Sequence, residues 1–347
     1  QWDKEYFHCG YYDFFEAPGW GVLEPGKRGG GFIILASEDG TNVTVNLNGL
    51  TKGVSKTTGE HDIGDSWSFS LNAGQTYMVR GKGETKGLYD ITGTKIRANK
   101  PIGVISTHVR TMIPSICPED RDHISEMIPP TSTLGKEYVT VQFNRKAVSP
   151  RTGKGDLFRV VAIQDNTKIT CSYFDSSTGK LVGNQDTPLA KAGMFADVMP
   201  ILDINNANTK NSIYGVAHWQ SDKPFLLVQY AFSNRWDGDN KWAPKSIVVA
   251  PMEQYTKNAV FQVPVESDFN DNTLTILAKG DPSDPEYKLL KSVAIDGNEI
   301  HKLDSKLFAN RISGTDIYWT RIPVSEGAHY ITSNTLVTGY VTGFSSQ

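Results

Sequence analysis

The chain has 347 residues, of which 38% are hydrophobic, and a formal net charge of −3. At about 100 to 200 residues per domain, this length predicts two or three compact units. Acidic and basic residues are spread along the whole chain, which argues against a nucleic-acid partner. No apolar run is long enough to cross a bilayer, so we expect no direct membrane insertion. The first residues lack the pattern of a signal peptide, which is also what a secreted protein shows once its signal peptide has been removed.

The composition predicts an all-β protein. The 32 glycines and 17 prolines are typical of short strands joined by turns, and helical spacing of apolar residues is hard to find over any long window. Residues 1–31 are predicted to form an irregular, aromatic-rich lead-in. Their aromatic side chains could form a ligand surface, but packing against the first sheet is the favoured interpretation.

A sequence motif typical of a β-hairpin occurs three times along the chain. A strand at Phe32–Ala36 runs into an Asp-Gly-Thr turn, Phe158–Ala162 runs into Asp-Asn-Thr, and Leu274–Ala278 begins a looser third copy. We interpret these phrases as three tandem pseudo-repeats resembling β-sandwiches, packed into one elongated or compact array. The predicted units are residues 32–127, 128–248 and 249–347.

The most individual motif lies at the predicted boundary between the first two units, and it contains Asp122, His123, Glu126, Pro129 and Pro130. The acids and the imidazole could ligate a metal or act as an acid/base pair. The favoured interpretation is a structural junction, in which the polar side chains fix an irregular backbone before the prolines. No metal site and no catalytic residue are predicted.

The linker at Val249–Tyr255 resembles this junction, since it keeps a proline and the following strand without the Asp-His pair. Proline cannot donate to a central ladder, so both segments are expected to enter their sheets from an edge.

A second polar motif places two indoles around an acidic turn and is the first candidate for a ligand-binding site. Its residues are Trp236, Asp237, Asp239 and Trp242. The carboxylates could bind calcium, and exposed indoles could stack on sugar rings or anchor a protein. The alternative is a solvated loop with one tryptophan folded inward.

Three cysteines are too few for a disulfide scaffold. Cys9 and Cys117 lie in polar, loop-like surroundings and are the better candidates for a disulfide, whereas strand alternation predicts that Cys171 is a buried, inert thiol. The triplet beginning at Asn42 is a candidate glycosylation site.

Several phrases together resemble the N-terminal domain family of the IgGFc-binding protein. They are the Asp-Gly-Thr and Asp-Asn-Thr hairpins, the Asp-His-x-x-Glu-x-x-Pro-Pro motif at 122–130, Ser246–Pro251 and the closing Gly339–Phe344. The resemblance covers most of residues 30 to 345. It implies a secreted or cell-surface β-rich module of mucus-type and adhesion-type proteins, without catalysis.

The function expected from this resemblance is a non-enzymatic adhesion or recognition module outside the cell, which binds a protein or glycoprotein partner. The alternative is a secreted carbohydrate-binding, lectin-like or carbohydrate-active domain that uses the tryptophan-bearing loop.

Overall fold

The structure is a computed structural model that describes residues 2–16, 26–83, 89–115, 121–144, 155–175, 178–198, 215–233, 236, 243–265, 269–304 and 310–345. It is nearly all β, with 57% of residues in strands and 5% in helices, so the predicted fold class is confirmed. The irregular lead-in is not, because Asp3–Phe7 is a sheet strand and Phe14–Glu16 pairs with Gly26–Arg28.

The described strands, in chain order, are β1 (Asp3–Phe7), β2 (Phe14–Glu16), β3 (Gly26–Arg28), β4 (Gly30–Ala36), β5 (Thr41–Asn46), β6 (Ser66–Leu71), β7 (Thr76–Arg80), β8 (Lys95–Thr111), β9 (Asp122–Met127), β10 (Glu137–Val141), β11 (Leu157–Ala162), β12 (Thr167–Phe174), β13 (Leu181–Leu189), β14 (Phe195–Val198), β15 (Val216–Ser221), β16 (Phe225–Ala231), β17 (Lys245–Val248), β18 (Thr256–Val263), β19 (Phe269–Lys279), β20 (Ala294–Ile295), β21 (Asn298–Glu299), β22 (Ile317–Pro323) and β23 (Gly327–Ser345). The short helices are α1 (Lys288–Lys291) and α2 (Ile300–Leu303), with 3-10 turns at Thr131–Thr133 and Met252–Gln254.

Sheet A is antiparallel and is divided into two wings by the long strand β8. Residues 95–98 of β8 pair with β5 and β1. This part of β8, together with β1, β5 and β6, forms wing A1. Residues 102–108 pair with β4 and β9, and with β7 they form wing A2. One strand therefore contributes to both layers of a sandwich.

The next strands repeat this pairing as two separate sheets. Sheet B has the order β10-β15-β12-β13, and sheet C has the order β14-β11-β16-β17. Strands β15 and β16 correspond to the two halves of β8. The residues between them, Asp222–Pro224, are not in a strand. In the first sheet the equivalent residues, Asn99–Pro101, remain within β8.

Sheet D follows the same order around the long strand β23. Its first half joins β18, β20 and β21 in wing D1, and its second half joins β19 and β22 in wing D2. We call sheet A the first set, sheets B and C the second set and sheet D the third set. Among the described residues of the third set, no strand takes the place that β9 holds in the first set and β17 in the second. The count of three pseudo-repeats therefore stays an interpretation.

Strand alternation explains how these sheets form cores. In β11, Phe158 and Val160 point into the core between sheets B and C, while Leu157 and Val161 point outward and join the core of sheet A. The outer face of sheet C is thus buried on sheet A. The sheets therefore pack against one another in one continuous array and do not form separate domains joined only by linkers.

The contact between sheets C and A is centred on Arg159, a completely buried arginine on the outer face of β11. Its guanidinium lies 2.6 Å from Asp90 and 2.6 Å from Asp197. It also donates a 2.8 Å hydrogen bond to the carbonyl of Gly10 and lies over the ring of Tyr12, 4.7 Å from the centroid. A buried charge is tolerated here because carboxylates, a carbonyl and a π face all compensate it.

Sheets B and D meet in a second interface of the same kind. Val139 and Val141 on the outer face of β10 pack against Leu277 and Trp319 of wing D2. The Tyr340 hydroxyl donates a 2.6 Å hydrogen bond to the carbonyl of Val141. Each set of sheets therefore uses the outer face of its second sheet or wing to pack on the set before it.

We predict that Arg159→Ala lowers the free energy of unfolding by about 3–5 kcal/mol, because it leaves two carboxylates without their cation. Urea unfolding followed by tryptophan fluorescence measures the change. Arg97→Ala is the matched control, since Arg97 pairs with Glu5 at 2.7 Å but is 57% exposed, and its loss is expected to cost less than about 1 kcal/mol. Equal effects of the two substitutions would contradict the role assigned to Arg159.

Candidate functional site

The two linkers between the sets of sheets have the same local backbone. Pro130 and Pro251 are both extended, with φ −68° and ψ 158° and φ −68° and ψ 156°. Each is followed by a 3-10 turn whose third amide donates back to the proline carbonyl, at 3.1 Å for Thr133 and 2.9 Å for Gln254. Proline fixes φ and lacks an N–H, so it initiates the turn and ends the preceding pairing.

The linkers also lie side by side. The amide of Lys136 donates a 2.8 Å hydrogen bond to the carboxylate of Glu253. A Cβ placed on Gly135 would be 2.4 Å from the Pro251 side chain, so only glycine permits this approach. Two segments more than a hundred residues apart in sequence are thereby held in contact.

An apolar groove of about 240 Å³ opens where the linkers meet. Met127 on one rim is 56% exposed, so the groove is accessible from solvent. The described residues of its lining are hydrophobic apart from one hydroxyl and one amide side chain, and they are Met127, Ile128, Pro129, Thr133, Val248, Val249, Ala250, Pro251 and Gln254. We take this linker groove as the candidate binding site.

The predicted junction motif is only partly a junction. Residues Asp122–Met127 form the regular strand β9, so the irregular backbone expected there is wrong. His123 and Glu126 are three positions apart in a strand, so their side chains point to opposite faces of the sheet. The structure therefore does not bring them together as an acid/base pair. Pro129 and Pro130 do lie in the linker, and Pro129 lines the groove.

Asp122 and His123 are both exposed. One carboxylate oxygen of Asp122 accepts the amide of His123 at 2.7 Å, and the His123 ring lies 3.5 Å from the Thr107 hydroxyl. These local contacts assign them to the surface of β9.

Glu126 points toward sheet C and lines a narrow crevice with Ser106, Tyr230 and Ser246. Burial raises the pKa of its carboxyl to about 7, because the charged form loses solvation in this crevice. The titration of Glu126 is thereby linked to the packing of sheet A on sheet C.

The tryptophan-bearing loop is described only at Trp236. This indole is 3% exposed and belongs to the core of sheet A, with its ring centroid 6.1 Å from that of Phe232. It is the inward-folded tryptophan of the alternative interpretation and forms no surface platform. Asp237, Asp239 and Trp242 lie outside the described residues, so calcium binding there stays a prediction.

The cysteines and the sequon are placed as follows. Cys171 is buried in the core between sheets B and C. Cys9 is also buried, with its sulfur 3.7 Å from the Tyr230 hydroxyl, and burial raises the pKa of its thiol to about 12. Cys117, its predicted partner, lies outside the described residues, and the disulfide stays a prediction.

Asn42, the candidate glycosylation site, is exposed on β5, and its glycosylation stays a prediction as well.

In the part of the chain that the structure describes, no cluster of three or more His, Cys, Asp or Glu side chains could hold a metal ion. No helix within that part is long and apolar enough to span a membrane.

The sequence did not predict the groove as a site. Its lining residues Thr133, Val248 and Gln254 carry no motif. The available signal was the similarity of the two proline-containing linkers, but similarity alone does not predict that they pack against each other.

Comparison with known proteins gives one informative match. The sequence model of the family described as IgGFc binding protein matches residues 1–343. No curated protein sequence matches the chain. Among solved structures, the X-ray structure of the entire lipid-containing bacteriophage PM2 contains a chain with 10% identity, aligned over 96% of this chain and 86% of that one. Its TM-score of 0.14 carries no argument about the fold.

We predict that Glu126→Gln stabilises the protein at pH 8. The pKa of this carboxyl is raised from 4.5 to about 7 on folding. Above pH 7 the carboxyl is charged in the folded state, which lowers the free energy of unfolding. Below pH 4.5 it is protonated in both states and this loss of stability disappears. The variant should therefore exceed the wild type by about 1–3 kcal/mol at pH 8 and match it near pH 4.5. Urea unfolding at both pH values is the measurement. A pH-independent difference would contradict the raised pKa.

Proposed function

The chain belongs to the IgGFc-binding protein family, and from this premise we propose that it is a non-enzymatic protein-binding module that acts outside the cell, secreted or at the cell surface. The observation that carries the proposal is the linker groove, a solvent-accessible apolar cleft held open by two rigid proline turns. We propose this groove as the place where the partner protein binds.

The size of the groove supports a protein ligand. Pockets for drug-sized molecules occupy about 300–1,000 Å³, and about 240 Å³ is smaller. A cleft of this volume suits a single large apolar side chain. Protein interfaces concentrate their binding energy in such buried anchors, surrounded by residues that exclude water.

The chemistry of the lining also supports binding rather than catalysis. Among the residues that the structure describes, no carboxylate, imidazole or thiol lines the groove. These are the groups that act as general acids, bases and strong nucleophiles. Thr133 and Gln254 supply a hydroxyl and an amide that can orient a partner backbone at the entrance. We therefore propose a partner protein or glycoprotein that presents an exposed aromatic or aliphatic side chain.

The alternative of a carbohydrate-binding domain is less well supported. Sugar recognition by stacking needs an exposed aromatic face. Trp236 is buried, and no aromatic ring is found among the described residues that line the groove.

The test is binding of immobilised chain to immunoglobulin Fc, the partner that the family's name makes the first probe, measured by biolayer interferometry. Gln254→Trp fills the groove entrance and is expected to weaken binding at least tenfold. Asn184→Trp adds the same bulk at an exposed position on β13 and is expected to bind as the wild type does. Circular dichroism and thermal unfolding confirm that both variants fold.

Equal binding by the two variants would contradict the groove as the site. Absence of Fc binding would exclude this partner. Binding of free mucin glycans that Gln254→Trp leaves unchanged would contradict the protein-binding proposal and favour the carbohydrate alternative.

A further inference from the structure

The outer face of wing A2 carries an open apolar row across four strands. Cross-strand pairing aligns Met78 of β7 with Ile33 of β4, Ile33 with Ile105 of β8, and Ile105 with Met127 of β9. Met78 and Met127 are 49% and 56% exposed, and both isoleucines are half-buried. Four large apolar side chains in one line on a solvent-facing sheet are unusual for a surface without a partner.

The apolar surface continues in the next row of the same face. Leu35 is half-buried and pairs with Gly103. The ring of Trp2, which is 52% exposed, lies close enough to Gly103 that an added Cβ would be 3.5 Å from it. The indole of Trp2 therefore extends the apolar surface beside Gly103.

The equivalent row in sheet C is covered. By the corresponding pairings, Asp197, Arg159, Val228 and Val248 are aligned across β14, β11, β16 and β17. Arg159 in this row contacts the segment that follows β1 in sheet A, through the carbonyl of Gly10. The face that is open in wing A2 is thus an internal interface one set of sheets later.

The equivalent row in wing D2 is covered in the same way. It aligns Arg321, Thr275 and Tyr340. Tyr340 donates to the carbonyl of Val141 and Arg321 donates to that of Gln142, so this row packs on the end of β10 in sheet B. Both internal interfaces therefore join the same pair of faces.

The complementary face is open at the other end of the array. In sheet B the outer residues Val139 and Val141 of β10 are buried against wing D2. In wing D1 the corresponding strand is β18, where Val260 is 81% exposed and pairs with Tyr330, which is 48% exposed. Val265, just beyond β18, is 59% exposed.

From these observations we propose that copies of the chain associate head to tail, with the outer face of wing D1 in one copy packed on the apolar row of wing A2 in the next. The contact repeats the arrangement by which sheet C packs on sheet A and wing D2 packs on sheet B. It joins two different faces, so it is heterologous and generates a ring or an open filament rather than a closed symmetric dimer.

A second copy is the occupant that the structure favours, because the chain itself carries both halves of the interface. Wing A2 presents the apolar row and wing D1 presents Val260 and Tyr330, and each face is the unburied member of a pair of faces that is buried twice within the chain.

The experiment is sedimentation velocity of the 347-residue chain from about 1 to 200 μM. The wild type is expected to exceed its monomer mass of 38.3 kDa as the concentration rises. Met78→Glu removes one face and Val260→Glu removes the other, and each variant alone is expected to remain monomeric. Val182→Glu, which changes an exposed valine on β13, is the matched control and should associate as the wild type does.

Mixing the Met78→Glu and Val260→Glu variants distinguishes a head-to-tail contact from a symmetric one. Each retains the face that the other lacks, so the mixture should form a one-to-one dimer and nothing larger. Monomeric wild type at every concentration, or no dimer in the mixture, would overturn the proposal. Association that only Met78→Glu abolishes would indicate a symmetric dimer and would overturn it as well.

Discussion

The burial of Arg159 is the constraint on which the arrangement of the first two sets of sheets depends. A guanidinium on the outer face of a sheet normally faces water, but here it is enclosed by Asp90, Asp197 and the Gly10 carbonyl. Separating sheet C from sheet A would leave Asp90, which is 1% exposed, without its cation. The polar pairing is costly to break, and the apolar side chains around it supply the area that favours association.

The packing of the sheets also explains why the two linkers lie in contact. Each set of sheets is positioned by the face on which it packs, so the linkers do not set the relative orientation of the sets. They are instead held in contact, by Gly135 against Pro251 and by Lys136 on Glu253. The groove is a by-product of this packing, since its walls are the two segments that the sheets bring together.

Local patterns in the sequence predicted the all-β class, the strands at Phe32–Ala36 and Phe158–Ala162, and the similarity of the two linkers. The interfaces between sheets were not predicted, because they depend on contacts between residues far apart in sequence. An arginine within an apolar strand indicates a solvent-facing position, and Arg159 is buried only because another sheet covers it. The inward position of Trp236 likewise follows from the core it joins rather than from its neighbours in sequence.

The origin of the two groove walls has a thermodynamic consequence. One wall belongs to the linker between sheets A and B and the other to the linker that leaves sheet C, so the cleft exists only while these two segments are packed together. A ligand that binds the groove binds the docked array alone and shifts the equilibrium toward it by mass action. Under the proposed binding at the groove, an agent that separates the two linkers would therefore release the partner protein without contacting it.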